Sequence, residues 1–221
     1  MSYSIAIDGP AGAGKSTIAK KVAEKKHFQY VDTGAMYRAM ALHLLRSGIR
    51  AEETEKISEK CREADITVSY KNGEQVVFLN GENVNGLIRS EEVGQMTSAS
   101  SVNEDVRRKL VGLQRQMAEK ENVVMDGRDI GTCVLPDANV KVYLTASSAV
   151  RAKRRYDQIK AGGGECDLAA IEKGVKERDE RDMNRKISPL CQAEDAVLID
   201  SSSMTIDEVV DAILRLCGTV V

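Results

Sequence analysis

The sequence has no tryptophan and few of the residues that build metal sites, disulfide frameworks or cysteine-histidine catalysis. Its five cysteines are widely separated and form no Cys-x-x-Cys pair. Zinc binding and a disulfide framework are therefore disfavoured, and we expect the thiols to be reduced. A nucleophilic cysteine needs a histidine partner, and the chain offers only His27 and His43. These shortages argue against thiol catalysis.

Long hydrophobic runs and a strong charge of one sign are also absent. No apolar stretch approaches the length of a membrane span, and the first residues enter a predicted strand without a signal-type sequence. The formal net charge of −2 gives no bulk attraction to nucleic acid or to an anionic membrane. With 221 residues, 42% of them hydrophobic, the chain can form an α/β domain with a real core. We expect a cytoplasmic monomer whose partners are small molecules.

What the sequence does contain is a glycine-rich phosphate-binding pattern near its start. Gly9, four further residues and then Gly14-Lys15-Ser16 fit the P-loop spacing, in which backbone N–H groups converge on phosphate oxygens. The lysine adds a positive charge, and the Ser16 hydroxyl can hold Mg²⁺. An apolar run precedes the motif and apolar residues at helical spacing follow it, as a strand, loop and helix require. The pattern predicts nucleotide binding.

Two further polar clusters follow apolar runs that predict parallel strands. The first is Asp32–Arg38, after the predicted second strand, and the other is Asp126–Thr132, at the end of the third. Ligands bind at the carboxyl ends of parallel strands, so both clusters are predicted to face the same crevice as the P-loop. Asp126 would reach the metal, Arg128 would take a phosphate, and Asp129 would accept a hydrogen bond from the substrate.

Each cluster also has a purely structural interpretation. Asp32 or Thr33 would be the N-cap of the helix that follows, with Arg38 a solvated surface charge. Arg128 and Asp129 would form an ion pair with each other that caps a loop. The sequence leaves these alternatives open.

The rest of the chain predicts an insertion and several elements around the sheet. A hairpin is predicted from about residue 65 to 84, with Asn72-Gly73 as its turn, and residues 91–120 are predicted to be helical, with Val102 on the apolar side. Further strands are predicted at 140–144 and 196–200, with a capping box at Thr205–Glu208 opening the last helix. The basic helix that holds Arg151 and Arg154 is interpreted as a solvated face.

A glycine triplet at 162–164 precedes a helix with an unusual run of arginines. The apolar side of this helix is predicted to comprise Leu168, Ile171 and Val175. Its arginines at i, i+3 and i+7 are Arg178, Arg181 and Arg185. Three guanidinium groups on one side repel one another unless an anion joins them, so we interpret the segment as a hinged lid that clamps a triphosphate. The alternative is a surface salt-bridge ladder with Glu177, Asp179 and Glu180.

The chain closely resembles the bacterial cytidylate (CMP/dCMP) kinase family. The resemblance rests on four motifs that occur in the same order, namely the P-loop, Asp32–Arg38, Asp126–Thr132 and the arginines at 178–185. The resemblance covers essentially the whole chain, including the hairpin insertion. It implies the α/β fold of the nucleoside monophosphate kinases, a five-stranded parallel sheet flanked by helices. One P-loop kinase domain would span residues 1–221, with an NMP-binding region at 36–101 and a lid at 158–185.

The motifs and the resemblance together assign the site residue by residue. ATP would be bound by Gly9, Pro10, Ala11, Gly12, Ala13, Gly14, Lys15, Ser16, Thr17 and Arg154. CMP or dCMP would be bound by Thr33, Tyr37, Arg38, Ser98, Arg107, Arg128, Asp129, Arg178 and Asp182. The catalytic set would be Lys15, Arg128, Arg178 and Arg185, with Mg²⁺ held by Ser16 and Asp126.

Ser98, Arg107 and Asp129 match the positions at which this family reads cytosine. Cytosine offers an amino donor and two acceptors, which a carboxylate, an arginine and a hydroxyl complement. Uracil would instead present a carbonyl to Asp129, and an unpaired buried acceptor costs about 1 to 3 kcal/mol. The expected reaction is therefore in-line transfer of the γ-phosphoryl group of MgATP to CMP or dCMP in preference to UMP, by positioning and charge neutralisation.

Two other functions would also use a P-loop. A GTPase switch would carry Asn-Lys-x-Asp and Asp-x-x-Gly, and the sequence contains neither pattern. A kinase of UMP, AMP or a phosphate-free metabolite is a nearer alternative. The resemblance gives Arg38, Arg128 and Arg178 as the arginines that hold the acceptor phosphate, and three such residues favour a monophosphate over an unphosphorylated substrate.

Overall fold

A computed structural model describes residues 2–71 and 73–218 of the protein. The chain divides into two compact units. The P-loop unit comprises Tyr3–Phe28 together with the described chain from residue 123 to 218. The middle unit comprises Gln29–Asn122 with Ser2.

The described chain contains groups of strands separated by single or paired helices. The strands are β1 (Ser4–Asp8), β2 (Gln29–Asp32), β3 (Ile66–Lys71), β4 (Glu74–Leu79), β5 (Glu82–Asn83), β6 (Val123–Gly127), β7 (Val140–Thr145) and β8 (Val197–Asp200). The helices are α1 (Lys15–Lys26), α2 (Thr33–Arg46), α3 (Thr54–Lys60), α4 (Glu91–Ser100), α5 (Glu104–Lys120), α6 (Ser148–Ala161), α7 (Leu168–Asn184) and α8 (Ile206–Leu216). None of the helices in these described ranges is long and apolar enough to cross a bilayer.

The parallel sheet is built from apolar runs whose carboxyl ends carry the polar motifs. β1 pairs in parallel with β6 and with β7, and β7 pairs in parallel with β8. Ile5, Ile7 and Val124 have no exposed area, as expected for parallel strands covered on both faces. The predicted five-stranded sheet is confirmed, in the order β2-β6-β1-β7-β8. The register places Asp8 beside Gly127, so the P-loop and the loop after β6 begin at the same edge.

Two helices of the P-loop unit begin as the sequence predicts. α1 begins at Lys15, directly after the glycine loop. The capping box that opens α8 is confirmed, because Thr205 Oγ1 accepts from the Glu208 N–H at 3.3 Å and the Glu208 carboxylate accepts from the Thr205 N–H at 2.8 Å. This reciprocal pair satisfies two N–H groups that a helix start leaves without partners.

The predicted hairpin of the middle unit is one strand larger than the sequence indicates. β3 and β4 pair in antiparallel register from Ile66–Leu79 to Lys71–Glu74, and β5 adds a short third strand to β4. Asn72, half of the predicted turn, lies outside the described residues. The second turn forms at Asn80-Gly81, where both residues have positive φ angles of 51° and 82°. Asparagine and glycine are the residues that tolerate this conformation best.

The predicted helical stretch from residue 91 to 120 is two helices. α4 ends at Ser100 and α5 begins at Glu104, with Asn103 as the N-cap whose side chain accepts from the Asp105 and Val106 N–H groups. Val102, expected on the apolar side, lies in the break and is 43% exposed. The prediction failed here because an asparagine side chain can replace the hydrogen bonds of the preceding helical turn.

Candidate active site

The P-loop connects β1 to α1 through three glycines with positive φ angles. Gly9, Gly12 and Gly14 have φ angles of 145°, 77° and 95°, which L side chains rarely adopt. At Gly9 an added Cβ would lie 1.9 Å from the carbonyl oxygen of Leu144 on β7. Glycine is therefore required at this position both by the backbone conformation and by the close approach of the neighbouring strand.

Lys15 is the first residue of α1, directly after this loop, and its side chain is buried. Its Nζ donates to the carbonyl oxygen of Pro10 at 2.8 Å. The pKa of Lys15 is lowered to about 7, mainly by burial and secondly by the nearby charge of Arg128. An anionic phosphate would oppose both causes, so this lysine is suited to receive one.

Ser16 and Asp126 form the predicted metal position. The Ser16 hydroxyl donates to the Asp126 carboxylate at 2.9 Å, and Asp126 is 5% exposed. Among the described residues no group of three or more histidines, cysteines or carboxylates is arranged to hold a metal ion. One hydroxyl and one carboxylate fit Mg²⁺, which commonly takes few protein ligands and completes its shell with phosphates and water.

Asp8, at the end of β1, supports the loop after β6. Its buried carboxylate accepts from the N–H groups of Ile130 and Gly131 at 2.8 and 2.7 Å, at the start of a π-type turn over Ile130–Val134. Burial raises the pKa of Asp8 to about 6, although the two backbone hydrogen bonds act in the opposite direction. The carboxylate therefore fixes the backbone just after Arg128 and Asp129, a role that the sequence did not reveal.

Arg128 and Arg178 share one carboxylate. Arg128 Nε donates to Asp182 at 2.9 Å, and Arg178 Nε lies 4.0 Å from the same oxygen. Both arginines also lie near enough to lower the pKa of Lys15, although burial is the main cause of that shift. The structure thus brings Arg128, Arg178 and Asp182 together beside the P-loop.

Asp129 pairs with Arg185. The Arg185 Nη2 group donates to the Asp129 carboxylate at 3.3 Å, and both side chains are 7% exposed. The alternative in which Arg128 and Asp129 pair with each other is wrong, because Arg128 pairs with Asp182 and Asp129 pairs with Arg185. A buried carboxylate with an adjacent guanidinium has the hydrogen-bonding groups needed to read a base edge.

The arginine side of α7 differs from the prediction. α7 ends at Asn184, and Arg185 is an extended residue with ψ of 141°, so it leaves the helical face. Arg181 is exposed, and its Nε donates to the Glu177 carbonyl. The predicted apolar side is only partly covered, because Ile171 and Val175 are half-buried whereas Leu168 is 40% exposed. Arg178 and Arg185 therefore lie near the other predicted site residues, whereas Arg181 does not, and the three arginines do not share one helix face.

Arg151 and Arg154 on α6 contact the P-loop from its carbonyl side. Arg154 donates to the carbonyls of Ala13 at 3.2 Å and Ser201 at 2.9 Å. Arg151 is 5% exposed and donates to the carbonyl of Ala11 at 3.1 Å. The interpretation of this helix as a solvated face is therefore wrong for Arg151, whereas Lys153 and Arg154 are exposed as that interpretation expects.

In the middle unit, the capping interpretation of Asp32 is confirmed. The Asp32 side chain accepts from the Ala35 N–H at 2.9 Å and caps α2. Thr33 is buried as the first residue of that helix. Arg38 is half-buried and donates to the Ile88 carbonyl at 3.3 Å, so it is not the solvated surface charge of the alternative interpretation.

Tyr37 and Arg107 lie together in the same unit. The Arg107 guanidinium carbon lies 5.9 Å from the centre of the Tyr37 ring, within cation–π range. Arg107 is 5% exposed, and its Nη1 also donates to the Ser101 carbonyl at 3.5 Å. Ser98 is on α4, where its carbonyl accepts from the Ser101 hydroxyl. The substrate roles of these residues stay predictions.

Comparisons with known sequences agree on one family. A sequence model of the family described as cytidylate kinase matches residues 5–219. The cytidylate kinase of Desulforamulus reducens is 51% identical over 210 residues, which covers 95% of this chain and 94% of that protein. The cytidylate kinases of Caldicellulosiruptor saccharolyticus and Bacillus subtilis are 49% and 46% identical over 212 residues, or 96% of this chain, and cover 94% and 95% of those proteins.

A comparison with solved structures supports the fold alone. An uncharacterized protein from Eubacterium ventriosum matches with a TM-score of 0.54 at 15% identity, covering 99% of both chains. At this identity the likeness concerns the arrangement of strands and helices and carries no statement about activity.

Proposed function

The chain belongs to the cytidylate kinase family, and from this premise we propose that its site transfers the γ-phosphoryl group of MgATP to the 5′-phosphate of CMP or dCMP, giving CDP or dCDP. The observation that carries the proposal is the set of cations gathered beside the P-loop. Arg128 and Arg178 lie close enough to Lys15 to lower its pKa, in addition to the larger effect of burial. Such a cluster is suited to the negative charge of two nucleotides.

The roles follow from the chemistry of phosphoryl transfer. The acceptor phosphate is already an anionic oxygen, so no strong general base is needed and catalysis is positioning with charge neutralisation. The backbone N–H groups from Gly9 to Thr17 and the Lys15 ammonium would hold the ATP phosphates. Arg38, Arg128 and Arg178 would hold the acceptor phosphate, and Arg185 would bind the transferring group.

Mg²⁺ would be held by the Ser16 hydroxyl and the Asp126 carboxylate, which are 2.9 Å apart. When bound, the ion neutralises phosphate charge and orients the γ-phosphoryl group. Arg154 is assigned to the ATP site, where its hydrogen bond to the Ala13 carbonyl supports the loop.

Base selection would rest on Asp129, and Ser98 and Arg107 would also contact the base. Asp182 would bind the ribose. Thr33 and Tyr37 would lie beside the substrate. A cytosine amino group donates to a carboxylate, whereas the uracil carbonyl at the same position would face it as a second acceptor. We further propose that residues 36–101 form the NMP-binding region, that residues 158–185 act as a lid, and that the enzyme is a cytoplasmic monomer.

A substrate panel tests this function. ADP release is measured with CMP, dCMP, UMP, AMP and GMP as acceptors under the same conditions. We expect kcat/KM for CMP and dCMP to exceed that for UMP by about tenfold or more, because one unpaired buried acceptor is worth that much. Equal values for UMP and CMP would overturn base reading by Asp129, and failure of every monophosphate would overturn the proposed reaction.

A further inference from the structure

One buried guanidinium joins three parts of the P-loop unit. Arg151 lies in the first turn of α6, and its Nε donates to the Ala146 carbonyl at 2.8 Å. Nη1 donates to the P-loop carbonyl of Ala11 at 3.1 Å. Nη1 and Nη2 also donate to both oxygens of Asp179 on α7, at 3.0 and 2.6 Å. The start of α6, the P-loop and α7 are thus linked through a single side chain.

The burial of this pair distinguishes it from the surface pairs on the same helix. The side chains of Arg151 and Asp179 are 6% and 17% exposed, whereas those of Lys153 and Asp157 on α6 are 59% and 57% exposed. A planar guanidinium can make a two-bond contact with a carboxylate and still reach other acceptors, which an ammonium cannot do in the same geometry. The site therefore requires arginine specifically.

The contact with Ala11 bears on how the loop presents its N–H groups. In a planar trans peptide the C=O and the following N–H point in opposite directions. Holding the Ala11 carbonyl on the α6 side therefore directs the Gly12 N–H toward the phosphate side of the loop. Arg154 acts in the same way two residues later in the loop, where it donates to the Ala13 carbonyl.

The contact with Asp179 bears on α7. Asp179 follows Arg178 directly and lies one turn before Asp182, the carboxylate that Arg128 and Arg178 share. Anchoring Asp179 fixes the rotation of α7 at the point from which Arg178 extends. The same guanidinium therefore sets the P-loop and the arginine-bearing helix relative to each other within this unit.

We propose that Arg151 and Asp179 are positioning residues for phosphoryl transfer: Arg151 holds the P-loop peptide at Ala11 and, through Asp179, the helix that carries Arg178. The inference rests on the proposed function of that site. It predicts that the two residues differ in their kinetic effects. Asp179 acts on α7 alone, whereas Arg151 acts on both α7 and the loop.

Steady-state kinetics with CMP and ATP test this difference. In Asp179→Asn the Arg151 contact with Ala11 remains, so we expect kcat to fall about tenfold while KM for ATP stays within about twofold of the wild type. In Arg151→Lys both contacts are lost, so we expect a similar fall in kcat and a rise in KM for ATP of about fivefold or more. In the double variant kcat should be no lower than in Arg151→Lys, because Asp179 acts through Arg151.

Asp157→Asn is the matched control, since it removes an exposed carboxylate paired on the same helix, and its kinetics should be unchanged. Thermal melting is recorded for every variant. If Asp179→Asn does not fold, Asp179→Glu keeps the charge on a longer side chain and should still lower kcat. Wild-type kcat in the folded Asp179 variant, or kcat effects that multiply in the double variant, would overturn the inference. Absence of CMP phosphorylation in the wild type would instead overturn the proposed function.

Discussion

The charge of Lys15 is strongly affected by burial. The ordinary pKa of a lysine is 10.5, and burial is the main reason why that of Lys15 falls to about 7 in the folded protein. Between these values the unfolded chain binds the extra proton, so the free energy of unfolding increases as the pH rises. The cost of burying the charge is fully present below about pH 7 and fades toward pH 10.5.

Replacing Lys15 by methionine should therefore stabilise the free protein and abolish its activity. We expect the Tm of Lys15→Met to rise by about 3 to 6 °C at pH 7 and by less at pH 9.5. Scanning calorimetry at the two pH values measures the shift. Lys25→Met, at a half-exposed position on the same helix, is the control and should show no such dependence. A lower Tm for Lys15→Met at pH 7 would contradict the assigned pKa.

Arg185 is expected to act mainly on the chemical step. Removing a guanidinium that neutralises charge in the transition state should lower kcat by about 100-fold or more in Arg185→Ala, with a modest change in KM for CMP. Lys173→Ala on α7 removes an exposed cation and should leave kcat unchanged. Unchanged turnover in Arg185→Ala, measured by ADP release, would refute the catalytic role.

The sequence predicts the residues with a motif and misses the ones that act through burial. Lys15, Ser16 and Asp126 are predicted from spacing alone, and the structure brings them together. Asp8 and Arg151 belong to no pattern in the sequence that distinguishes them from ordinary charged residues. Their roles depend on carbonyl and N–H groups far away along the chain, and only the folded backbone places these groups within reach.

At the scale of elements, the P-loop depends on the absence of a side chain at Gly9. Gly9→Ala would place a Cβ 1.9 Å from the Leu144 carbonyl, and β1 or β7 would have to move. We expect a loss of more than about 3 kcal/mol in the free energy of unfolding, together with loss of ATP binding. Urea titration measures the first and a nucleotide-binding assay the second.

Gly48→Ala separates the backbone strain from the steric contact. Gly48 also has a positive φ, of 70°, but an added Cβ there meets nothing within 4 Å. Its substitution should cost about 1 kcal/mol. If Gly9→Ala were no more destabilising than Gly48→Ala, the close approach of the Leu144 carbonyl would not be the reason for glycine in this loop.

Element types were easier to predict than the faces they present. The capping box of α8 and the strands of the parallel sheet follow from local patterns, and they are confirmed. Two features do not follow from local patterns, namely the break at Asn103 and the incomplete burial of α7. A cap can interrupt an apolar periodicity, and an apolar spacing does not by itself provide a partner that buries it. Which side of a helix is covered is decided by tertiary packing.

For the whole molecule, the fold class was predictable because one order of motifs specifies it. Strand, glycine loop and helix define the start of the sheet, and the later apolar runs supply strands whose carboxyl ends carry charge. The family match over residues 5–219 agrees with this order. The pairing of Asp129 with Arg185, and of Asp182 with Arg128, was not predictable. Several arginines and carboxylates lie near one another in the sequence, and their spacing does not determine which of them pair.

The most direct test of phosphoryl transfer is a phosphorus NMR time course of the wild-type protein with ATP, Mg²⁺ and CMP. If the arginines direct the γ-phosphoryl group to CMP, CDP and ADP will accumulate in equal amounts without inorganic phosphate. Accumulation of inorganic phosphate with ADP, and no CDP, would contradict the proposed reaction.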